Sequence, residues 1–364
     1  MDPLELREEI PALEDGVYLN TGASGPSPRP VIQRMESAEE EHAMSHSPYD
    51  AAHDMIEDAR EEVADFLDTS PENICLTDST TDGIQIVNSF YDWSEDDKVV
   101  TNELEHSSGL MTWERLNELH GVEYEILEAD DEGRIDLDDV KDAVEDATMF
   151  FMSSITWSHG TRLPVEEAVD IAHDAGADAM IDAAQSPGQK PIDIEDWGAD
   201  YVPCPGHKWI LAPWGAGFLY VDEPMEKESP RVGYRGVKDH TVDEWEYEEG
   251  AKRFELTSIS PTVYAALSTA IGKMSDIGLE NVESRIERLT DRFKDQIPNE
   301  NLASPREFES GIVSFEVDGD PEEFVERAAE EDIVVRTLPY DTVRASIHVF
   351  NTESDVDALA DLVG

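Results

Sequence analysis

The sequence predicts an α/β fold: a mostly parallel sheet with helices on both faces, joined to a smaller α+β domain. Two observations carry this, and a third bears on function. From Ile74 to Val221 short apolar runs alternate with amphipathic stretches, the pattern of strand–helix–strand units. From Pro261 onward long helical patterns take over, followed by short strand and helix signals. Acids supply 85 of the 364 residues, yet Gly16–Met35, Ala147–Val165, Tyr201–Val221 and Leu256–Ser275 contain none. In so acidic a chain, segments stripped of carboxylates are those the fold buries or uses.

Taken in order, Gly16–Met35 (GVYLNTGASGPSPRPVIQRM) is rich in Gly, Pro and Ser and is expected to be irregular. A loop of this length in a compact domain is more often functional than not. Ile74–Thr77, Lys98–Thr101, Tyr124–Leu127, Met149–Ile155, Ala179–Asp182, Tyr201–Cys204 and Gly217–Val221 read as strands. Between two of them, Val165, Ala168, Val169 and Ala172 fall at helical spacing. One or two long helices run from Pro261 through Leu289. A strand pair (Ile312–Val317 with Ile333–Thr337), Ala345–Phe350 and a last helix from Glu353 follow. The expected division is a large domain of residues 20–255 and a small domain built from 1–19 and 256–364. No internal repeat or low-complexity linker is present.

The formal charge of −59 argues against nucleic-acid binding and against attraction to anionic membranes. Seven tryptophans and recurring apolar segments argue for an ordinary core under an acidic surface. Such a surface fits the cytoplasm of an extreme halophile, where about 1 M salt shortens the Debye length to roughly 3 Å. Thermal unfolding should therefore shift upward when salt is raised from about 0.1 M to about 1 M; a flat response would contradict this. Two cysteines, Cys75 and Cys204, form neither a disulfide framework nor a four-cysteine metal site. No run of 18 apolar residues occurs and the N-terminus lacks a signal-peptide profile, so a soluble cytoplasmic protein is expected.

The third acid-free run, YVPCPGHKWILAPWGAGFLYV, would hold about five acids if charge were spread evenly. It holds none, and its one lysine is Lys208. The nearest acid is Asp200, eight residues away, whereas each of the other eight lysines has an acid within three positions. A lysine kept from counter-charges is a candidate for a depressed pKa and a nucleophilic amine. A core strand with a snorkelling lysine at its mouth fits equally well.

Two further segments carry chemistry. Thr77–Gly83 follows a strand and opens a helix, and Ser79 with Asp82 fits a capping pattern. Ordinary capping explains it; the same geometry also aims backbone N–H groups and the hydroxyls of Ser79, Thr80 and Thr81 at one point, which suits a phosphate. The second, Ala179–Gln185, puts the carboxylate of Asp182 where a buried strand ends. That carboxylate is costly unless paired, and a protonated ring nitrogen would satisfy it; a loop or capping acid is the plainer reading. His42 and His46, at i, i+4 beside Glu39–Glu41 and with His53 further on, lack an HExxH pattern, and no metal site is expected.

Together these residues resemble the class V aminotransferase family, whose enzymes depend on pyridoxal phosphate. The run IDAAQSPGQKPIDIEDWGADYVPCPGHKWILAPWGAGFLYV is similar to the family's cofactor segment. YLNTGASGP, STTDGI, ELEHSSGLMTW, SSITWSHGTRLPVEE, RFELTSISP and VRASIHVFNTESDVDAL agree in order over nearly the whole length. The resemblance implies the pyridoxal-phosphate-dependent transferase fold of the aspartate aminotransferase type. It implies that Lys208 forms the internal aldimine and then shuttles the substrate Cα proton. Asp182 would pair with the pyridine nitrogen, Gln185 would hydrogen-bond the phenolic oxygen, and His106 would stack on the ring. Ser79, Thr80, Thr81 and His207 would hold the phosphate, and Thr257 would reach the phosphate of a neighbouring subunit in a homodimer. Arg344 and Asn20 are placed at the amino-acid substrate, with Arg344 gripping its carboxylate.

The reaction implied first is transamination of a small amino acid, with cysteine or cystine C–S lyase chemistry by β-elimination as the alternative. A non-catalytic binding protein with this fold would not need Lys208 beside Asp182, Gln185 and His106. Persulfide-forming desulfurases carry a cysteine shortly before the carboxylate-binding arginine; Val335–Val343 here has none. Cys75 and Cys204 read as small buried hydrophobes. Pro205 stands where a serine is often found, and Trp157 where many relatives have asparagine. Trp157 and Gly233–Gly236 resemble the branch that includes cysteine/cystine C–S lyases and isopenicillin-N epimerase-like proteins. Arg235 and Arg253 are then second carboxylate contacts or structural residues.

Overall fold

The computed structural model describes residues 1–238 and 244–363. A short strand, β1 (Val17–Tyr18), precedes the main sheet. That sheet contains β2 (Ile74–Thr77), β3 (Lys98–Asn102), β4 (Glu123–Leu127), β5 (Met149–Ser153), β6 (Asp178–Asp182), β7 (Tyr201–Pro205) and β8 (Gly217–Val221). Their order is β2-β8-β7-β6-β5-β3-β4. Only β8 runs antiparallel to its neighbours, so the sheet is mostly parallel, as expected. Alternate residues serve opposite cores. Phe150, Met152, Ile181, Val202 and Phe218 join one hydrophobic cluster, whereas Met149, Phe151, Met180, Tyr201 and Leu219 join another. Burial on both faces is why these strands read as continuous apolar runs.

β7 contains Pro203 and Pro205, which have no N–H to give to a ladder. Its pairing with β6 is reduced to Met180 opposite Tyr201. The Ala183 N–H still donates to the Pro203 carbonyl at 3.1 Å, which keeps the two strands joined at the end from which Asp182 and Lys208 emerge.

The C-terminal region starts with helices Pro261–Ile277 and Leu279–Lys294. β9 (Ile312–Phe315), helix Pro321–Glu330, β10 (Ile333–Val334), β11 (Arg336–Leu338), β12 (Thr342–Ser346) and helix Glu353–Val363 follow. The expected pairing of Ile312–Val317 with Ile333–Thr337 is corrected. β9 pairs with β12, while Ile333 and Val334 pair with Val17 and Tyr18 of β1. The cause is local: Pro339–Asp341 forms a tight turn with Asp341 at φ 56°, and this folds β12 back onto β11. Gly16–Met35 is not irregular throughout either. A helix runs from Arg29 to Met44 with Pro30 in its first turn, where the missing N–H costs nothing. Among the described residues no helix is long and apolar enough to cross a membrane.

Candidate active site

Ligands of open α/β sheets gather beyond the carboxyl ends of the strands, and the chain places its chemistry there. β2 leads to Ser79–Thr81, β3 to His106, β5 ends at Ser153, β6 ends at Asp182, and β7 leads to His207 and Lys208. These side chains line one cavity of about 260 Å³, together with Gln185, Trp157, Gly22 and two arginines, Arg336 and Arg344. Lys208 and Asp182 thus open onto the same space.

Close backbone approaches shape it. A Cβ on Gly217 would meet the Ser79 nitrogen at 3.1 Å and the Cys204 carbonyl oxygen at 2.9 Å. A Cβ on Gly25 would lie 2.2 Å from the Lys208 carbonyl oxygen, and the Gly25 N–H donates to the His207 carbonyl at 2.7 Å. The Gly-rich segment near the N-terminus therefore packs directly against the lysine turn. Ser79 serves both roles its sequence allows: its Oγ accepts from the Asp82 N–H at 3.2 Å as a helix cap, and the residue also faces the cavity.

The electrostatics follow from burial. Lys208 has its amine pushed down to about 8 by desolvation, with Asp182 opposing and Arg344 and Arg336 assisting. Asp182 is 4% exposed and is raised by burial, against the pull of Lys208 and of the Ala184 N–H, which donates to its Oδ1 at 2.7 Å. His106 caps helix Ser107–His120, its Nδ1 accepting from the Ser108 N–H at 3.2 Å. His106 is exposed at the mouth of the cavity; partial desolvation of its ring, then the positive charges of Lys208, Arg336 and Arg344, lower it to about 4, so it is a neutral ring at pH 7. His207 is likewise lowered to about 4 by burial and Lys208. Its ring stacks on Trp214 at 4.7 Å, and Trp214 Nε1 donates to Ser24 Oγ at 3.0 Å.

Arg344 is 1% exposed and donates to the Trp157 carbonyl at 2.8 Å and to Asn20 Oδ1 at 3.5 Å. Asn20 thus lies against Arg344 and is not among the residues lining the cavity. Arg336 sits directly opposite Arg344 across the β11–β12 ladder. Like charges in that position destabilise a sheet, and an anion between them relieves the cost.

Several expectations fall elsewhere. Thr257 is exposed and outside this cavity, on the loop after the 3₁₀ turn Gly250–Phe254. Arg235 pairs with Glu255 at 2.8 Å, and Arg253 donates to the carbonyls of Pro224 and Met225 at 3.4 Å; neither lines this cavity. Trp157 lines the cavity with its ring edge-on to His106 at 5.7 Å. Cys75 and Cys204 are buried at 0% and 1% exposure.

Sequence reasoning missed Arg336 and Glu105. Arg336 and Arg344 are equidistant from Tyr340, so a hairpin centred there would have paired them. Glu105 is fully enclosed, accepting from Asn102 Nδ2 at 2.7 Å and from the N–H and hydroxyl of Ser153 at 2.6 and 2.5 Å. Burial, with Asp182 adding to it, raises Glu105 to about 7.

A model of the aminotransferase class-V family matches residues 17–359. The chain is 31% identical to a probable cysteine desulfurase of Methanothermobacter thermautotrophicus, over 98% of this chain and 96% of the relative. The apo structure of a cysteine desulfurase from Thermococcus onnurineus NA1 superposes with a TM-score of 0.92 at 28% identity, covering 100% of this chain and 97% of that one. A complex of the cystine C–S lyase C-DES with its product cysteine persulfide shares the fold, with a TM-score of 0.91 at 23% identity over 97% and 99% of the two chains. The chain belongs to the aminotransferase class-V family and is a pyridoxal-phosphate-dependent enzyme.

The residues present fit that cofactor. Thr80 Oγ1, His207 Nδ1, Trp157 Nε1, Arg344 Nε and Ser346 Oγ are buried without hydrogen-bond partners among the described residues. Thr80, His207, Trp157 and Arg344 surround the cavity, which also offers the buried carboxylate of Asp182 and the amine of half-buried Lys208. Unsatisfied donors of this kind are costly unless a polar ligand meets them.

Proposed function

We propose that the protein cleaves the C–S bond of cysteine or cystine by β-elimination and releases the sulfur product without holding it on a cysteine of its own. The observation that carries this is the β11–β12 hairpin. Desulfurase names attach to the relatives, which favours carbon–sulfur chemistry over the transamination first expected. Yet the turn Pro339–Asp341 is tight and carries no thiol, and both cysteines of the chain are buried in the core of the main sheet.

Pyridoxal phosphate, when bound, supplies an aldehyde for amine exchange and an electron-withdrawing ring that stabilises negative charge at the substrate Cα. In this reading Ser79, Thr80, Thr81 and His207 hold its phosphate. Asp182 keeps a proton on the ring nitrogen, Gln185 donates to the ring oxygen, and neutral His106 covers a ring face. Arg344, with Arg336 opposite and Asn20 beside it, orients the substrate carboxylate. Lys208, lowered toward neutrality, accepts the Cα proton. Loss of the β-sulfur then balances as cysteine plus water giving pyruvate, ammonia and hydrogen sulfide. For cystine, the sulfur leaves as cysteine persulfide. A homodimer belongs to the same proposal, with the exposed Thr257 reaching the phosphate of a second copy.

The test is an amino-acid panel at molar salt. Pyruvate, ammonia and sulfide or persulfide should appear in equal amounts from cysteine or cystine with no keto acid added. Turnover that requires a keto acid and releases no sulfur would instead establish transamination.

A further inference from the structure

Trp209 follows Lys208 directly and is 1% exposed. Its indole Nε1 donates to Gln185 Oε1 at 2.7 Å. An indole N–H cannot accept a hydrogen bond, so this contact decides which end of the Gln185 amide is the oxygen. Gln185 Nε2 donates one hydrogen to the Gly22 carbonyl at 3.1 Å and retains a second for the cavity that Gln185 lines.

The indole is itself braced. His348 stacks on it at 5.5 Å and 16°, and His348 Nε2 donates to the Trp209 carbonyl at 2.9 Å. His348 Nδ1 accepts the Val349 N–H at 2.8 Å, and Phe350 stacks on the imidazole in turn at 4.8 Å. Every polar atom of the imidazole is therefore committed, and burial keeps the ring neutral, with its pKa lowered to about 4. Two glycines admit the tryptophan. A Cβ on Gly311 would meet indole Cη2 at 3.0 Å, and a Cβ on Gly188 would meet the Trp209 carbonyl oxygen at 2.4 Å.

We infer that Trp209, braced by His348, is a positioning residue that locks the Gln185 amide so that it presents an N–H, and never its carbonyl oxygen, to an acceptor in the cavity. This rests on the reading that Gln185 faces the phenolic oxygen of the cofactor. Without the indole donor the amide is free to turn, and an oxygen facing an anionic oxygen repels it. The stack also fastens the chain after Lys208 to the segment beyond β12, which carries Arg344.

The experiment compares wild type, Trp209→Phe, Gln185→Ala and the double variant as holoenzymes at molar salt. Two readings are taken: the pH midpoint of the bound cofactor's visible band, and the Kd for pyridoxal phosphate added to apoprotein. Phenylalanine keeps a ring to stack on His348 and removes the N–H. Loss of a donor to an anionic oxygen raises its proton affinity, so the midpoint should move up in both single variants. Kd should weaken about three- to tenfold in each, and the double variant should be no worse than Gln185→Ala alone. A shift in Gln185→Ala with wild-type behaviour in Trp209→Phe overturns the inference while leaving the reading of Gln185 intact. No shift in either variant overturns both. Should Trp209→Phe fail to fold, His348→Ala removes the brace and keeps the indole. A smaller upward shift supports the inference there, and an unshifted midpoint overturns it.

Discussion

Replacing Lys208 by alanine should lower turnover about 10³- to 10⁴-fold, because in the proposed mechanism it is both the amine that bonds to the cofactor and the base at Cα. Non-covalent retention of pyridoxal phosphate should survive, since Ser79, Thr80, Thr81 and His207 are untouched. Steady-state kinetics with a parallel cofactor titration separates the two effects. The pH dependence has a definite sign. Burial, Arg344 and Arg336 lower the Lys208 amine to about 8 against the pull of Asp182. Only the neutral amine attacks, so covalent capture of the cofactor by apoprotein should accelerate as pH rises through about 8. A midpoint near 10, that of an ordinary lysine, would mean that the amine is solvated.

Asp182→Asn should cost about 10²- to 10³-fold in kcat, the magnitude of removing one preorganised electrostatic partner. The side chain keeps its shape, and its Oδ1 still accepts from the Ala184 N–H. What is lost is the charge that, in the proposed mechanism, holds a proton on a ring nitrogen. Because that proton matters most as charge develops at Cα, kcat should fall far more than cofactor affinity. Equal losses in kcat and in cofactor binding would make Asp182 a structural residue.

How legible this was depended on the range of the interaction. Lys208 could be found from sequence because its isolation from acids is a local property. Asp182 was visible as a carboxylate at a strand end, although only the pattern around it named its partner. The main sheet was readable because strands buried on both faces leave unbroken apolar runs. The C-terminal pairing was not, since Ile333–Val334 has its partner in β1, more than 300 residues earlier in the chain. Arg336 stayed hidden because its position opposite Arg344 follows from hairpin register, which the turn at Asp341 sets. Nothing in the sequence singles out Trp209 or His348, and their polarity matters only once Gln185 is brought against the indole. Thr257 is the opposite case: its motif is plain in the sequence, but the residue is exposed and outside the cavity, and the contact proposed for it needs a second copy of the chain.

The most direct measurement is borohydride reduction of the pyridoxal-phosphate-loaded protein in high salt, followed by peptide mapping by mass. Reduction should fix one cofactor per chain on the peptide containing Lys208 and abolish the visible band. Cofactor mass on any other lysine, or a protein that takes up no cofactor at all, would contradict the account at its root.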